Sequence, residues 1–340
     1  MEFQLVSAPV TDPAGEVRDA LLRALASKLD GLQSVERLVR LSGGVSRETW
    51  SFDAVTATNT IPLILRRQPR GMASGEDLDL PAALEADVLP CAAAHGVPAP
   101  RVVLVLDPSA CGGEGFVMER IAGETLPQKI LAEESLAIAR TRLLGQCAEA
   151  LANLRRIQPP ALPSLPTRRA TDLLDAYERM YRSLPVARPI VEFGFRWLED
   201  HHPGQCDTGL VHGDFRLGNF IVNDTGLASL LDWELAHFGD PMEDLGWFCT
   251  NAWRFGRSDH PAGGLTSREA LYEAYEKAGG PRVDPGQVRF WEIFGCIKWA
   301  VISMRFANRY LSGRQRSVEL LAVGRRTAEA EMDLMNLVLS

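Results

Sequence analysis

"LVHGDFRLGNFIV", residues 210–222, sets four hydrogen-bonding side chains, His212, Asp214, Arg216 and Asn219, into one short loop between apolar ends. Leu210–Val211 and Phe220–Val222 have strand composition, so the polar residues fall on a turn between two short strands. A His-Gly-Asp turn by itself is more often a hydrogen-bonded structural loop than a chemical one. Two other stretches change its meaning. Thirteen residues beyond Asn219, "LLDWE" puts Asp232 at the end of a further strand. Far upstream, "LSGGVSRETW" (41–50) places a glycine turn, with Ser42, Gly43, Gly44 and Ser46, between two more strands.

Together these stretches supply the parts that phosphoryl transfer requires. The transition state spreads negative charge over the moving phosphoryl oxygens, so catalysis is mostly positioning and electrostatics. A carboxylate must orient the acceptor hydroxyl and take its proton, and a hard Mg²⁺ ion needs oxygen ligands alongside the phosphates. A glycine turn lets backbone N–H groups approach the phosphates closely.

The rest of the chain supplies an architecture. Val17–Leu29 has apolar positions at helical spacing. The period then changes to that of strands through "VERLVRLSGGVSRETWSFDAV" and "IPLILRRQP", and a helix over "DLPAALEADVLPCAAAHG" ends at Gly96. "PRVVLVLD" and "EGFVMERI" add two more strands, giving a mainly antiparallel five-stranded sheet with one inserted helix over residues 35–121. Beyond that, helices are expected at about 129–157, 171–183 and 187–200, and again from "PMEDLGWF" to the C-terminus. The expected fold class is α+β and bilobal: a β-rich N-lobe (1–121) and a larger α-helical C-lobe (122–340).

Composition narrows the partners. A net charge of −8 and a pI near 5.4 argue against nucleic acid or an anionic membrane surface. The six cysteines are scattered without a C-x-x-C pair, so a zinc site or disulfide framework is not expected. The N-terminus lacks the basic and apolar regions of a signal peptide, and no apolar run reaches the roughly 20 residues of a membrane helix. The expectation is a cytoplasmic monomer or homodimer acting on a small-molecule acceptor.

"HGDFRLGN" matches the H-G-D-x-x-x-x-N motif of the aminoglycoside phosphotransferase and choline kinase family without substitution, and "LLDWE" resembles its second metal-binding stretch. That family has a protein-kinase-like fold. The resemblance implies Asp214 as catalytic base with His212 supporting its loop, Asn219 and Asp232 as Mg²⁺ ligands, and ATP as donor, with GTP as the alternative. The Ser42–Ser46 turn would cover the phosphates. Arg66 stands where protein kinases carry a strand lysine, with Glu85 as its partner, while Arg67 on the opposite strand face reads as solvated. Backbone groups of Glu119 and Ile121 would meet the adenine edge, behind the bulky Met118. Asp240 and Asp244 of "GDPMEDLGW" read as caps and acceptors that fix the loop.

Further stretches, among them "LRRQPRG", "WLEDHHP" and "IKWAVISMRFANRYLSG", resemble a bacterial branch related to the kinase-like domain of acyl-CoA dehydrogenase fusion proteins. Certain members of that branch phosphorylate hydroxyacyl-CoA thioesters. Six arginines balance six acidic residues across 160–200, which does not suit a polycation pocket. Lys298, Trp299, Arg305, Arg309 and Tyr310 would suit an anionic or amphipathic acceptor, although the same helix could equally be core with a charged outer face. A hydroxyacyl-CoA or related metabolite is therefore the expected acceptor. An aminoglycoside or amino-alcohol kinase is the alternative, and a pseudokinase-like nucleotide-binding module is the alternative of another class.

Overall fold

Alternation along the first strands decides which face of the sheet is covered. In β2 (Glu48–Thr56), Trp50, Phe52 and Ala54 are buried, and they pair in register with β3 (Thr60–Pro69) on one side and β1 (Leu32–Leu41) on the other. One helix, α1 (Pro13–Leu25), lays Val17, Leu21 and Leu25 against them together with Val35, Leu63, Leu65, Leu106 and Val117. The four-residue spacing of those helical side chains is one stripe of a 3.6-residue period. The helix begins a turn earlier than the apolar pattern suggests and stops at Leu25, and the chain reverses at Gly31 with φ +69°.

In this computed structural model, residues 13–41, 47–69, 78–107, 113–204, 206–315 and 317–339 are described. After β3 come α2 (Ala82–Ala94), β4 (Val102–Leu106) and β5 (Gly113–Glu119). The sheet order is β1-β2-β3-β5-β4, antiparallel throughout, which is the five-stranded sheet expected from the sequence. The chain divides into two compact units, one of residues 1–87 with 100–120 and one of 88–99 with 121–340, and the boundary cuts through α2.

The second unit is mostly helical: α3 (Pro127–Ala132), α4 (Ala137–Arg156), α5 (Ala170–Arg182) and α6 (Pro189–Asp200). The single helix expected over 129–157 is broken, because Glu133 leaves the helical region at ψ 133°. Arg140 Nη1 donates to the exposed carbonyls of Ile130 (3.1 Å) and Glu133 (2.5 Å), satisfying acceptors that the break releases. Four short strands follow: β6 (Gly209–Val211), β7 (Phe220–Asn223), β8 (Gly226–Leu230) and β9 (His237–Gly239). β7 pairs with β8 and β6 with β9, so the stretch around Asp214 hangs between two small ladders. The chain ends in α7 (Met242–Cys249), α8 (Arg268–Lys277), α9 (Pro285–Leu311), α10 (Val318–Gly324) and α11 (Thr327–Leu339). Among the described residues, no helix is long and apolar enough to cross a membrane.

The long α9 is the spine of this unit, buried almost continuously from Val288 to Met304. Glycine permits its closest crossing. A Cβ on Gly246 of α7 would lie 2.6 Å from the carbonyl carbon of Trp291, and one on Gly295 of α9 would lie 2.3 Å from Thr250 Oγ1. Gly246→Ala must push α7 off α9. We expect it to lower stability by about 1–3 kcal/mol in urea unfolding, the range for overpacked cores.

Candidate active site

His212 is fully buried, and its ring has one arrangement that satisfies every neighbour. Nδ1 lies 3.2 Å from the Asp214 N–H and Nε2 lies 3.1 Å from the Leu231 carbonyl. A backbone N–H can only donate, so Nδ1 accepts and the proton sits on Nε2, donated to Leu231. Leu231 in turn donates its own N–H to the Asn219 carbonyl at 2.8 Å. This one residue therefore joins both ends of the loop to the segment carrying Asp232.

The loop is also held from α7. Asp244 accepts the N–H groups of His212 (2.7 Å) and Gly213 (2.9 Å), one on each carboxylate oxygen. Gly213 takes φ +79°, and a Cβ there would lie 2.7 Å from the Leu235 carbonyl, so only glycine fits. Burial and the neighbouring Glu243 carboxylate push the Asp244 pKa up to about 7, against the pull of the two amides. Asp240 is likewise an anchor, accepting from Met242 N (3.0 Å), Gln287 Nε2 (2.7 Å) and Trp291 Nε1 (2.6 Å).

These supports fix the carboxylate of Asp214, which is partly exposed. Its Oδ1 accepts from Trp247 Nε1 at 2.8 Å and Arg216 Nε at 3.0 Å, and its Oδ2 from Asn219 Nδ2 at 2.6 Å. Arg216 lies over the Trp253 ring, 4.4 Å from its centroid. It is an orienting partner of Asp214 with its face on an indole. The sequence offered no signal for Trp247, since an aromatic in "DLGWF" reads equally well as core.

Asn219 is 5% exposed, and both of its side-chain hydrogen bonds run through Nδ2, one to the Asp214 carbonyl (2.9 Å) and one to its carboxylate. The carbonyl oxygen Oδ1, the atom a hard cation takes, is not spent on the loop. Asp232 follows β8 in the left-handed region at φ 68°, which Asp tolerates better than most residues. Among the described residues there is no cluster of three or more His, Cys, Asp or Glu side chains able to hold a metal. An amide and a carboxylate fit Mg²⁺, which takes few protein ligands and completes its shell with phosphates and water.

The first unit holds a separate charged cluster. Arg66 Nε lies 3.5 Å from Glu85 Oε1, and the Glu85 carboxylate also pairs with Arg47, whose guanidinium reaches the Leu80 carbonyl as well. Arg47 was missed because the pairing spans 38 positions of sequence. Arg67, expected to be solvated from its strand face, is not: only 13% of its side chain is exposed, and it pairs with Glu48 at 3.0 Å. Met118 is buried in β5. Glu119 donates its N–H to the Arg101 carbonyl at 3.0 Å, so its own carbonyl is the group left for a ligand edge. Ile121 opens the second unit and is half-buried. Ser42, Gly43, Gly44 and Ser46 lie outside the described residues.

Burial pulls the His212 pKa down to about 4, against the attraction of Asp214 and Asp232. The unfolded imidazole takes its proton near 6.5, whereas the folded one resists until about pH 4. This contribution is complete above pH 6.5 and lost as pH falls toward 4, on the order of 3 kcal/mol in all. Urea unfolding at pH 7, 5.5 and 4.5 should show the decline, and His212→Gln should flatten it.

The profile of the phosphotransferase enzyme family matches residues 37–291. The Arabidopsis thaliana protein named probable acyl-CoA dehydrogenase IBR3 is 26% identical over 335 residues, covering 88% of this chain and 40% of that protein. This chain therefore spans less than half the length of that relative. A Ralstonia eutropha protein provisionally assigned as an aminoglycoside phosphotransferase superposes with a TM-score of 0.71 at 23% identity, covering 94% of this chain and 97% of that one. Amicoumacin kinase hAmiN, solved with AMP-PNP, Ca²⁺ and Ami, superposes with a TM-score of 0.64 at 15% identity, covering 93% and 94%. At these identities the likeness is one of fold, and it agrees with the α+β class read from the sequence. With residues 37–291 matched, from β1 into α9, the chain belongs to the phosphotransferase enzyme family.

Proposed function

We propose that this protein transfers the γ-phosphoryl group of ATP to a hydroxyl of a hydroxyacyl-CoA or a related anionic metabolite, with the first 121 residues serving the nucleotide. The observation that carries this reading is the Asp214 carboxylate, held by three side-chain N–H donors and partly exposed. The acceptor hydroxyl gives its proton to Asp214 while its oxygen bonds to the γ-phosphorus. The bond from that phosphorus to the β,γ-bridging oxygen breaks, and ADP leaves. His212 keeps the Asp214 peptide in place and exchanges no proton with the acceptor. Asn219 Oδ1 and the Asp232 carboxylate would hold Mg²⁺, which when bound offsets the charge of the β- and γ-phosphates. Arg66, braced by Glu85, would take the part of the strand lysine at the α- and β-phosphates, and its planar fork suits two oxygens at once. The Glu119 carbonyl with the Ile121 N–H would meet the adenine edge.

Charge favours this acceptor class over the aminoglycoside alternative. Two cations stand at the Asp214 loop: Arg216, 3.0 Å from the carboxylate, and Lys298, whose ammonium reaches the adjacent Gly213 carbonyl at 2.5 Å. A polycationic antibiotic calls for carboxylates there instead, and a CoA thioester brings its own phosphates to arginine. The full set of Asp214, Asn219 and Asp232 argues against a regulatory module without turnover.

ADP release should be followed while hydroxyacyl-CoAs, aminoglycosides and amino alcohols are offered with ATP and Mg²⁺. Turnover with hydroxyacyl-CoAs is expected, and turnover confined to the cationic acceptors overturns the acceptor assignment. Asp214→Ala should lose about 10²–10⁴-fold in kcat, as for a removed general base. Wild-type turnover in that variant removes Asp214 from its role. Asp232→Ala should abolish Mg²⁺-dependent nucleotide binding, measured calorimetrically, and unchanged Mg²⁺ dependence excludes it as a ligand.

A further inference from the structure

The chain has four lysines, and three of them, Lys28, Lys129 and Lys277, are exposed. Lys298, in the middle of α9, is only 3% exposed. Burying an ammonium is costly unless its surroundings answer the charge. Its hydrogen bond goes to the Gly213 carbonyl at 2.5 Å, and its Nζ stands 4.2 Å from the centre of the Trp247 ring. Desolvation lowers its pKa, while Glu243, Asp214 and Asp244 pull the other way and Arg216 adds to the lowering.

A purely structural reading makes Lys298 the counter-ion of the acidic pair on α7. Both of those acids have partners of their own. Glu243 Oε2 lies 3.1 Å from His237 Nε2, and each Asp244 oxygen accepts a backbone N–H. What Lys298 touches instead leads to Asp214 by two short paths. The Gly213 carbonyl belongs to the peptide whose N–H is that of Asp214, and that N–H donates to His212 Nδ1. Lys298 and His212 therefore clamp the same peptide plane from opposite ends. Trp247, whose face carries the ammonium, donates its Nε1–H to Asp214 Oδ1 at 2.8 Å. A cation on an indole face draws electron density from the ring and makes its N–H a stronger donor.

We propose that Lys298 is a positioning residue of the phosphotransfer site, fixing the Asp214 carboxylate through the Gly213 peptide and through Trp247. The proposal rests on Asp214 being the group that orients the acceptor. No apolar side chain of the same length can hold both ends, because methionine leaves the Gly213 carbonyl unpaired and the indole face without its cation.

The full-length protein with Lys298→Met, Lys298→Gln, Lys298→Arg and Trp247→Phe tests this along two lines. In ¹H–¹⁵N spectra, the Trp247 indole signal is the one lost in Trp247→Phe. It should move upfield in Lys298→Met and Lys298→Gln, while the Trp291 indole bonded to Asp240 stays in place. A Trp247 signal that does not move in a folded Lys298→Gln protein overturns the proposal, whether or not any acceptor is known. With the acceptor that gives turnover, Lys298→Met should lose about 10²-fold in kcat, as for a reacting group displaced by an ångström, with KM for ATP unchanged. Lys298→Arg should recover part of the loss. Because the two changes share the Trp247 path, the double variant with Trp247→Phe should lose less than the product of the two single losses. Additive losses, or a loss confined to KM or to thermal stability, assign Lys298 to packing alone. Absence of turnover in the wild-type protein counts against the proposed reaction, and the indole signal still decides the coupling.

Discussion

Two consecutive backbone N–H groups, those of His212 and Gly213, end on the carboxylate of one buried aspartate, Asp244. Much of the rest depends on that pair. In an extended strand successive amides point to opposite sides, and Gly213, in the left-handed region, turns the chain so that both reach one carboxylate. Once the turn is tied to α7, the carbonyl of Gly213 faces α9 and the side chain of Asp214 faces its three donors. Within the loop, His212, Arg216 and Asn219 brace Asp214, and α7, α9 and the segment after β8 satisfy its other polar groups.

The electrostatic design follows from burial. His212, Glu243, Asp244 and Lys298 are almost without solvent, so each can persist only with a partner. The imidazole solves this by staying neutral, with its tautomer dictated by one donor and one acceptor. The lysine relies on a carbonyl and an aromatic face. Charge is thereby gathered around a carboxylate that is itself partly exposed, and Trp247 joins that carboxylate to the buried ammonium.

How much of this the sequence disclosed depends on how far apart the partners lie along it. The five-stranded sheet and the turn at residues 212–219 were legible because each rests on a local period or a short spacing. The anchoring use of Asp240 and Asp244 was legible only through the family motif, since most of their partners lie 31 to 51 positions away. The break at Glu133 was not legible, since its released carbonyls are met by Arg140, seven and ten residues onward, and the apolar stripe continues across it. Arg67 looked solvated because strand alternation says which face a side chain takes and nothing of what waits there. Lys298 stood 85 positions from the carbonyl it meets, within a helix whose composition read equally as core or as acceptor lining.

The left-handed backbone of Asp232 also bears on inheritance. At φ 68° a β-branched or bulky side chain strains the chain before any chemistry is asked of it, whereas Asn, Asp and Gly are tolerated. The codons open to this position by drift are therefore filtered first by conformation and, under the metal-binding role proposed for Asp232, again by the need for an oxygen donor. Asparagine alone passes the first filter while preserving an oxygen, so it is the substitution through which a lineage could alter the charge of the site without first losing the fold.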